Sequence, residues 1–280
     1  MGIDVHAMNH LINVHQNEGD FKHTVTLGRQ GVHLRGSWYQ KDIDKNIPKK
    51  EQEFCESVLT HFFGATQVDS IDNSNYENAT LIHDMNESIP SALQERYDTV
   101  IDVGTLEHVF DIGQALRNCA ALCKVGGQII HVLPTNGFCG HGFWQFSPEL
   151  FYSLYSAENG FENTQVYVAE RWQQRMRYAV ARPNNGIRVN LLSHDESYIM
   201  VRTQKRAKKI QTWSVQQSDY VMEWSGGIAA RELSIQHYKS RNIYRWLVAT
   251  LFPKFAKWQM KSISAHNPNL TAERLLTSLK

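Results

Sequence analysis

Glu107 and His108 stand side by side just after an apolar run, residues 99–103, that Gly104 ends. A carboxylate and an imidazole so placed can orient one another or move a proton near neutral pH. A second polar group lies in 134–147, where Asn136, Cys139, His141, Trp144 and Gln145 alternate with Gly137, Gly140, Gly142 and with Phe138, Phe143 and Phe146. A glycine-turned loop of aromatic and polar side chains makes a substrate rim, with Asn136, Trp144 and Gln145 as its polar contacts and His141 as a second candidate base. The same aromatics would equally pack on a sheet. Two further carboxylates close apolar runs: Asp72 after 67–71, and Asp84, with Met85, after 79–82. Carboxylate oxygens there suit a pair of hydroxyls or an amino edge; they also suit turns and loop caps.

Gly28-Arg29-Gln30-Gly31 follows a β-branched run at 24–27. Glycines at such a turn let backbone approach a ligand, and the Arg29 fork matches a carboxylate or a phosphate. Residues 170–190 gather Arg171, Arg175, Arg177, Arg182 and Arg188; they suit either an anionic group on a substrate or a solvated face. Two weaker signals assign nothing. Glu107-His108 has no third ligand at metal-site spacing, so no metal is assigned. Cys139 and His141 are too near in one loop for spacing alone to define a nucleophile pair.

These groups must be held by alternating strands and helices. The pattern predicts helices over 4–17, 49–63, 112–123 and 147–155, and strands over 24–27, 67–71, 79–82, 99–103, 128–133, 165–169 and 197–203. Ser147-Pro148 is a helix start, and Gly126-Gly127 is a stop after Lys124-Val125. Strand, helix and strand within 97–134 form a βαβ unit, whose ligands belong beyond the carboxyl ends of the strands. The result is an α/β architecture with helices on both faces of a mostly parallel sheet and a late antiparallel addition.

The 280 residues are 42% hydrophobic and 20% charged, with net charge +1. That composition suits a folded protein with a sizeable core and gives no global argument for nucleic acid or an anionic membrane. The four cysteines read as reduced thiols of a cytosolic protein. No apolar stretch approaches the ~20 residues of a membrane span, and 4–20 lacks the continuous apolar core of a signal peptide. A cytoplasmic chain is expected, divided into residues 1–205 and a basic, aromatic, mainly helical extension over 206–280. The extension suits packing on its own domain, homodimer formation, or contact with a membrane surface or partner.

The quoted stretches resemble the Rossmann-like class I S-adenosylmethionine-dependent methyltransferases. Tyr97-Asp98-Thr99-Val100, Leu106-Glu107-His108-Val109 with Asp111, and the 123–127 turn resemble the family's fourth strand, its "LEHv.d" segment and its "LkpGG" turn. Ser70-Ile71-Asp72-Asn73-Ser74 resembles "giDiS", and 83–90 resembles "gDa..lPf". The LGRQ loop at 27–30 and the segment GHGFWQFSPELF are similar to a bacterial methyltransferase-like group. The resemblance spans about 20–205 and implies a seven-strand sheet, S-adenosyl-L-methionine as cofactor, and a small-molecule acceptor in biosynthesis. It implies cofactor contacts at Gly28, Arg29, Gly31, Asp72, Asp84, Met85 and Gly104. It implies chemistry at His108, His141 and Glu107, beside acceptor contacts at Asn136, Trp144, Gln145 and Arg175. The 28–31 loop departs from the family's "DxGxGxG", having two glycines and no acidic residue before them. The alternative is therefore a non-catalytic binding module of the same fold, recognising an anionic ligand or a protein.

Overall fold

The computed structural model describes residues 2–183, 189, 193, 195–208, 213–226 and 270–274. Its strands are β1 (Gly2–Ile3), β2 (Lys22–Leu27), β3 (Gly31–Val32), β4 (Ala65–Asp72), β5 (Leu81–Ile82), β6 (Tyr97–Val103), β7 (Cys123–Asn136), β8 (Phe161–Glu170), β9 (Met176–Val180), β10 (Ser197–Lys205) and β11 (Leu270–Arg274). Its helices are α1 (Val5–Glu18), α2 (Gln40–Asn46), α3 (Glu56–Phe63), α4 (Ile112–Leu122), α5 (Pro148–Leu154) and α6 (Ser218–Trp224).

Helix starts follow local chemistry. Asp4, Asp111 and Ser147 each cap a helix by accepting a backbone N–H, from Ala7, Gln114 and Leu150 respectively. Pro148 takes the first position of α5, where its missing N–H costs nothing. Gly64, at φ 62°, ends α3 in the left-handed conformation and turns the chain into β4.

One sheet dominates, in the order β11-β9-β8-β10-β7-β6-β2-β4-β5. Neighbours from β5 to β7 are parallel, and neighbours from β7 to β11 are antiparallel. The parallel strands are buried on both sides, which is why 99–103 and 128–133 read as near-continuous apolar runs. Val100 and Ile129 pack on one face with Leu116 of α4 and Phe151 of α5. Ile101 and Ile130 pack on the other with Met8 of α1 and Leu59 of α3. From β2 the chain moves outward to β4 and β5 and then returns to β6 and β7 on the other side. The strand order thus reverses between β2 and β6, where the carboxyl ends leave a crevice.

Several expectations are corrected. The sheet has nine strands rather than seven, because β9 and β11 add outside β8. The helix predicted over 49–63 is confined to Glu56–Phe63; Lys49–Glu51 makes only a 3-10 turn, and Phe54 bridges to Gly31. Gly126-Gly127 does not stop α4: the chain enters β7 at Cys123, and the register slips between Tyr97 and Thr99 to absorb the extra residues. Gly126 there has φ 86°, and a Cβ on Gly127 would stand 2.7 Å from the Asp98 carbonyl.

The mainly helical extension is corrected in part. Ser218–Trp224 is helical, but Leu270–Arg274 is an edge strand on β9. Residues 227–269, where dimerisation or surface contact was expected, lie outside the described residues. Just past β10, Ser214 exchanges hydrogen bonds with Asn159, and the Ser218 amide donates to Glu149 at 2.7 Å. No described helix is long and apolar enough to cross a membrane.

Candidate functional site

The site is assembled at the carboxyl ends of β2, β6 and β7. Beneath it, Asp102 and His131, both fully buried, stand opposite one another in the β6–β7 register. His131 Nδ1 lies 2.9 Å from Asp102 Oδ2, and its Nε2 lies 2.7 Å from the Tyr155 hydroxyl. The other Asp102 oxygen accepts the amides of Thr105, at 3.0 Å, and Leu106, at 3.4 Å. This buried chain fixes the turn that carries Glu107 and His108. The sequence did hold a signal for it: each strand is an apolar run broken by one titratable residue at matched depth. A buried polar group of that kind needs a partner.

The turn is also stitched to β2. The Thr105 hydroxyl donates to the Leu27 carbonyl at 2.6 Å, and the buried Gln30 amide bridges Leu27 and Thr105. Gln30 Oε1 is buried without a partner. Gly28 has φ +69°, and a Cβ there would stand 3.0 Å from Thr105 Oγ1 and 3.9 Å from Asp72 Oδ2. Gly28 therefore adds no side chain to the space shared by Thr105, the Gln30 amide, 3.4 Å from that Cβ position, and the Asp72 carboxylate.

The 134–147 loop folds back onto the same turn. Amides of Phe143 and Trp144 donate to the Glu107 carbonyl at 2.7 and 3.3 Å. Gly142, at φ +73°, passes so close that a Cβ would lie 2.7 Å from that carbonyl. The docking brings His141 Nε2 to 3.4 Å and His108 Nε2 to 3.8 Å from Glu107 Oε1. The two imidazoles meet edge to face, with centroids 4.9 Å apart. Glu107 is buried, and its Oε2 has no hydrogen-bond partner. Burial, reinforced by the Asp102 charge, pushes the Glu107 carboxyl up to about 8. Burial and the neighbouring His141 hold His108 below the usual histidine range. Glu107, His141 and Gly104 share a cleft of about 550 Å³ with Gly2, Asp4 and Pro134. Exposed Phe110 and Phe143 meet edge to face, with centroids 6.1 Å apart.

The structure thus brings Gly104, Glu107, His108 and His141 together, with Gly28 and Asp72 adjoining. Other expected contacts face elsewhere. Arg29 donates to Glu56, at 2.7 Å, and to the Glu77 carbonyl, at 2.8 Å, and lies over the Phe54 ring. Gly31 pairs with Gly2 in the small β1–β3 sheet. Asp84 accepts from Asn86 backbone and side chain, which holds its carboxyl below the usual range, and Met85 is in the core. Asn136 donates to the Ser193 carbonyl, Trp144 to the Val109 carbonyl, and Gln145 accepts from the Phe138 amide. Arg175 lies over Trp38. Arg177 is buried and paired with Glu273 of β11, not directed at the cleft. Of the arginines of 170–190, Arg171 lines the cleft; sequence reasoning missed Asp4, His33, Glu196 and Tyr198, which also line it. They arrive from distant parts of the chain, and no local spacing marks them.

No protein-family model matches the chain, and no curated protein matches it. Solved structures align with much of its length. A SAM-dependent methyltransferase from Archaeoglobus fulgidus is 11% identical, over 72% of this chain and 95% of that one, with a TM-score of 0.41. The Burkholderia thailandensis 1,6-didemethyltoxoflavin-N1-methyltransferase, crystallised with its substrate and S-adenosylhomocysteine, is 14% identical, over 71% and 77%, at 0.39. A 16S rRNA adenine methyltransferase from Catenulisporales acidiphilia is 13% identical, over 75% and 95%, at 0.34. At such identities and TM-scores, what these three proteins act on says nothing about this chain.

Proposed function

We propose that this chain is an S-adenosylmethionine-dependent methyltransferase acting on a small or carrier-bound metabolite. One observation carries the reading. Gly28, Asp72 and Gly104 gather at the crevice where the strand order reverses, beside a cleft of about 550 Å³ that holds Glu107 and His141. Open α/β sheets bind their ligands at such a reversal. The donor set fits the cofactor: the Asp72 carboxylate suits a ribose diol, and bare Cα positions at Gly28 and Gly104 admit close approach. Asp84, held by Asn86, would have to release that partner to meet the adenine edge, and Met85 stays in the core. Arg29 would reach the cofactor's carboxylate only by leaving Glu56, so its standing role is to pin the loop.

The cofactor, when bound, supplies an electrophilic methyl group on a sulfonium. The chain's residues position the acceptor and receive its proton. His141 lines the cleft with Glu107, and His108 stands beside them, 3.8 Å from the Glu107 carboxylate. Phe110 and Phe143 offer an apolar rim for the rest of the acceptor. A second reading, a binding module of this fold, is favoured by the Gln30 amide, which fills the space between the ends of β2 and β6.

Calorimetric titration with S-adenosylhomocysteine separates the two. The methyltransferase reading expects saturable one-to-one binding and an Asp72→Ala variant weaker by about 1.5–3 kcal/mol, or ~10–150-fold. Absence of binding to the wild type favours the binding module. Equal affinity in Asp72→Ala removes Asp72 from the ribose.

A further inference from the structure

Glu107, His108 and His141 each offer one ligand atom, and the three atoms all lie within 4.8 Å of one another. The pairwise approaches through Glu107 Oε1 are 3.4 Å to His141 and 3.8 Å to His108. Donors that share one ion at ~2 Å stand about 3–3.5 Å apart, so small side-chain movements close the set. A second observation is independent of this spacing. Glu107 Oε2 is buried with no hydrogen-bond partner, on a side chain only 2% exposed. An unpaired buried carboxylate oxygen is costly and calls for a ligand.

The surroundings hold the three groups in place. Asp102 fixes the turn that presents Glu107 and His108, and Gly142 lets the His141 loop close over it. Both histidines remain partly exposed, 39% and 51%, so an ion can enter and can keep open positions toward the cleft. Two imidazoles and one carboxylate favour first-row transition ions over magnesium or calcium, which prefer all-oxygen sets.

We propose that Glu107, His108 and His141 form a three-ligand site for a divalent transition ion, with its open positions facing the cleft. The ion would stand where an acceptor's oxygen or nitrogen enters, so the three side chains act together rather than one imidazole serving alone. The site stands whether or not methyl transfer is the reaction.

The test uses the full chain after chelator treatment and needs no activity. Zinc(II) is followed by calorimetry and cobalt(II) by its visible absorption. The expected result is one equivalent bound, with affinity lower by roughly 100-fold or more in His141→Ala and in Glu107→Gln, since even supporting partners of metal ligands cost 10–100-fold. His141 lies on an exposed loop, so its loss leaves the core intact should Glu107→Gln perturb folding. His61→Ala, an exposed histidine of α3, should bind like the wild type. No saturable site in the wild type overturns the proposal. So does wild-type affinity in His141→Ala, which would show adventitious surface binding only. Because S-adenosylhomocysteine is titrated separately on the metal-free chain, failure here leaves the methyltransferase reading standing, and the reverse holds.

Discussion

At the scale of single residues, environment decides which histidines can take a proton. His10 of α1 is fully buried; Arg177 donates to its Nδ1, and its Nε2–H donates to the Val201 carbonyl, both at 3.3 Å. Burial first, and the Arg177 charge next, lower its pKa to about 3. The sign follows directly. Below the ordinary value of about 6.5 the unfolded chain binds a proton that the folded chain refuses. Stability from this group is therefore complete above about 6.5 and is lost as pH falls toward 3, at about 1.4 kcal/mol per pH unit. Urea denaturation should show His10→Gln losing less stability than the wild type between pH 7 and pH 5. Parallel losses would contradict a neutral buried His10. The sequence does not single out His10: its partners, Arg177 and Val201, sit beyond position 170, so nothing nearby could reveal them.

At the scale of elements, the site depends on one loop docking onto one turn. Gly142 carries both a left-handed backbone and a carbonyl in the space a side chain would need. Gly142→Ala should cost about 1–3 kcal/mol for the forced conformation and swing His141 away from Glu107. Limited proteolysis would detect this as faster cleavage within 137–146, with the rest of the chain unchanged; wild-type resistance would mean that the loop docks without Gly142. How much was legible also divides by element. The βαβ unit over 97–134 could be read because its apolar periods and punctuation are local. The strands at 176–180 and 270–274 could not, because each is only five residues long and they pair with one another across about ninety residues. His141 was marked as a loop histidine with Glu107-His108 near a strand end. Their meeting rests on the Gly142 approach, which spacing does not encode.

At the scale of the whole molecule, two cavities among the described residues compare directly as places for a ligand. One is the reversal between β2 and β6, with the Glu107 cleft beside it. The other is a cavity of about 240 Å³ lined by Gln94, Arg117, Asn118, Lys205 and Trp213. The second has three cations near it, but Glu95 already pairs with Lys205 and Lys208. The proposed cofactor site is the first. Hydrogen exchange of the full chain with and without S-adenosylhomocysteine reads the location directly. The predicted result is slowed exchange at residues 28–30, 72–74 and 104–108, with no change around 94 and 117. Unchanged exchange at those three stretches, or protection confined to the other cavity, would contradict the account.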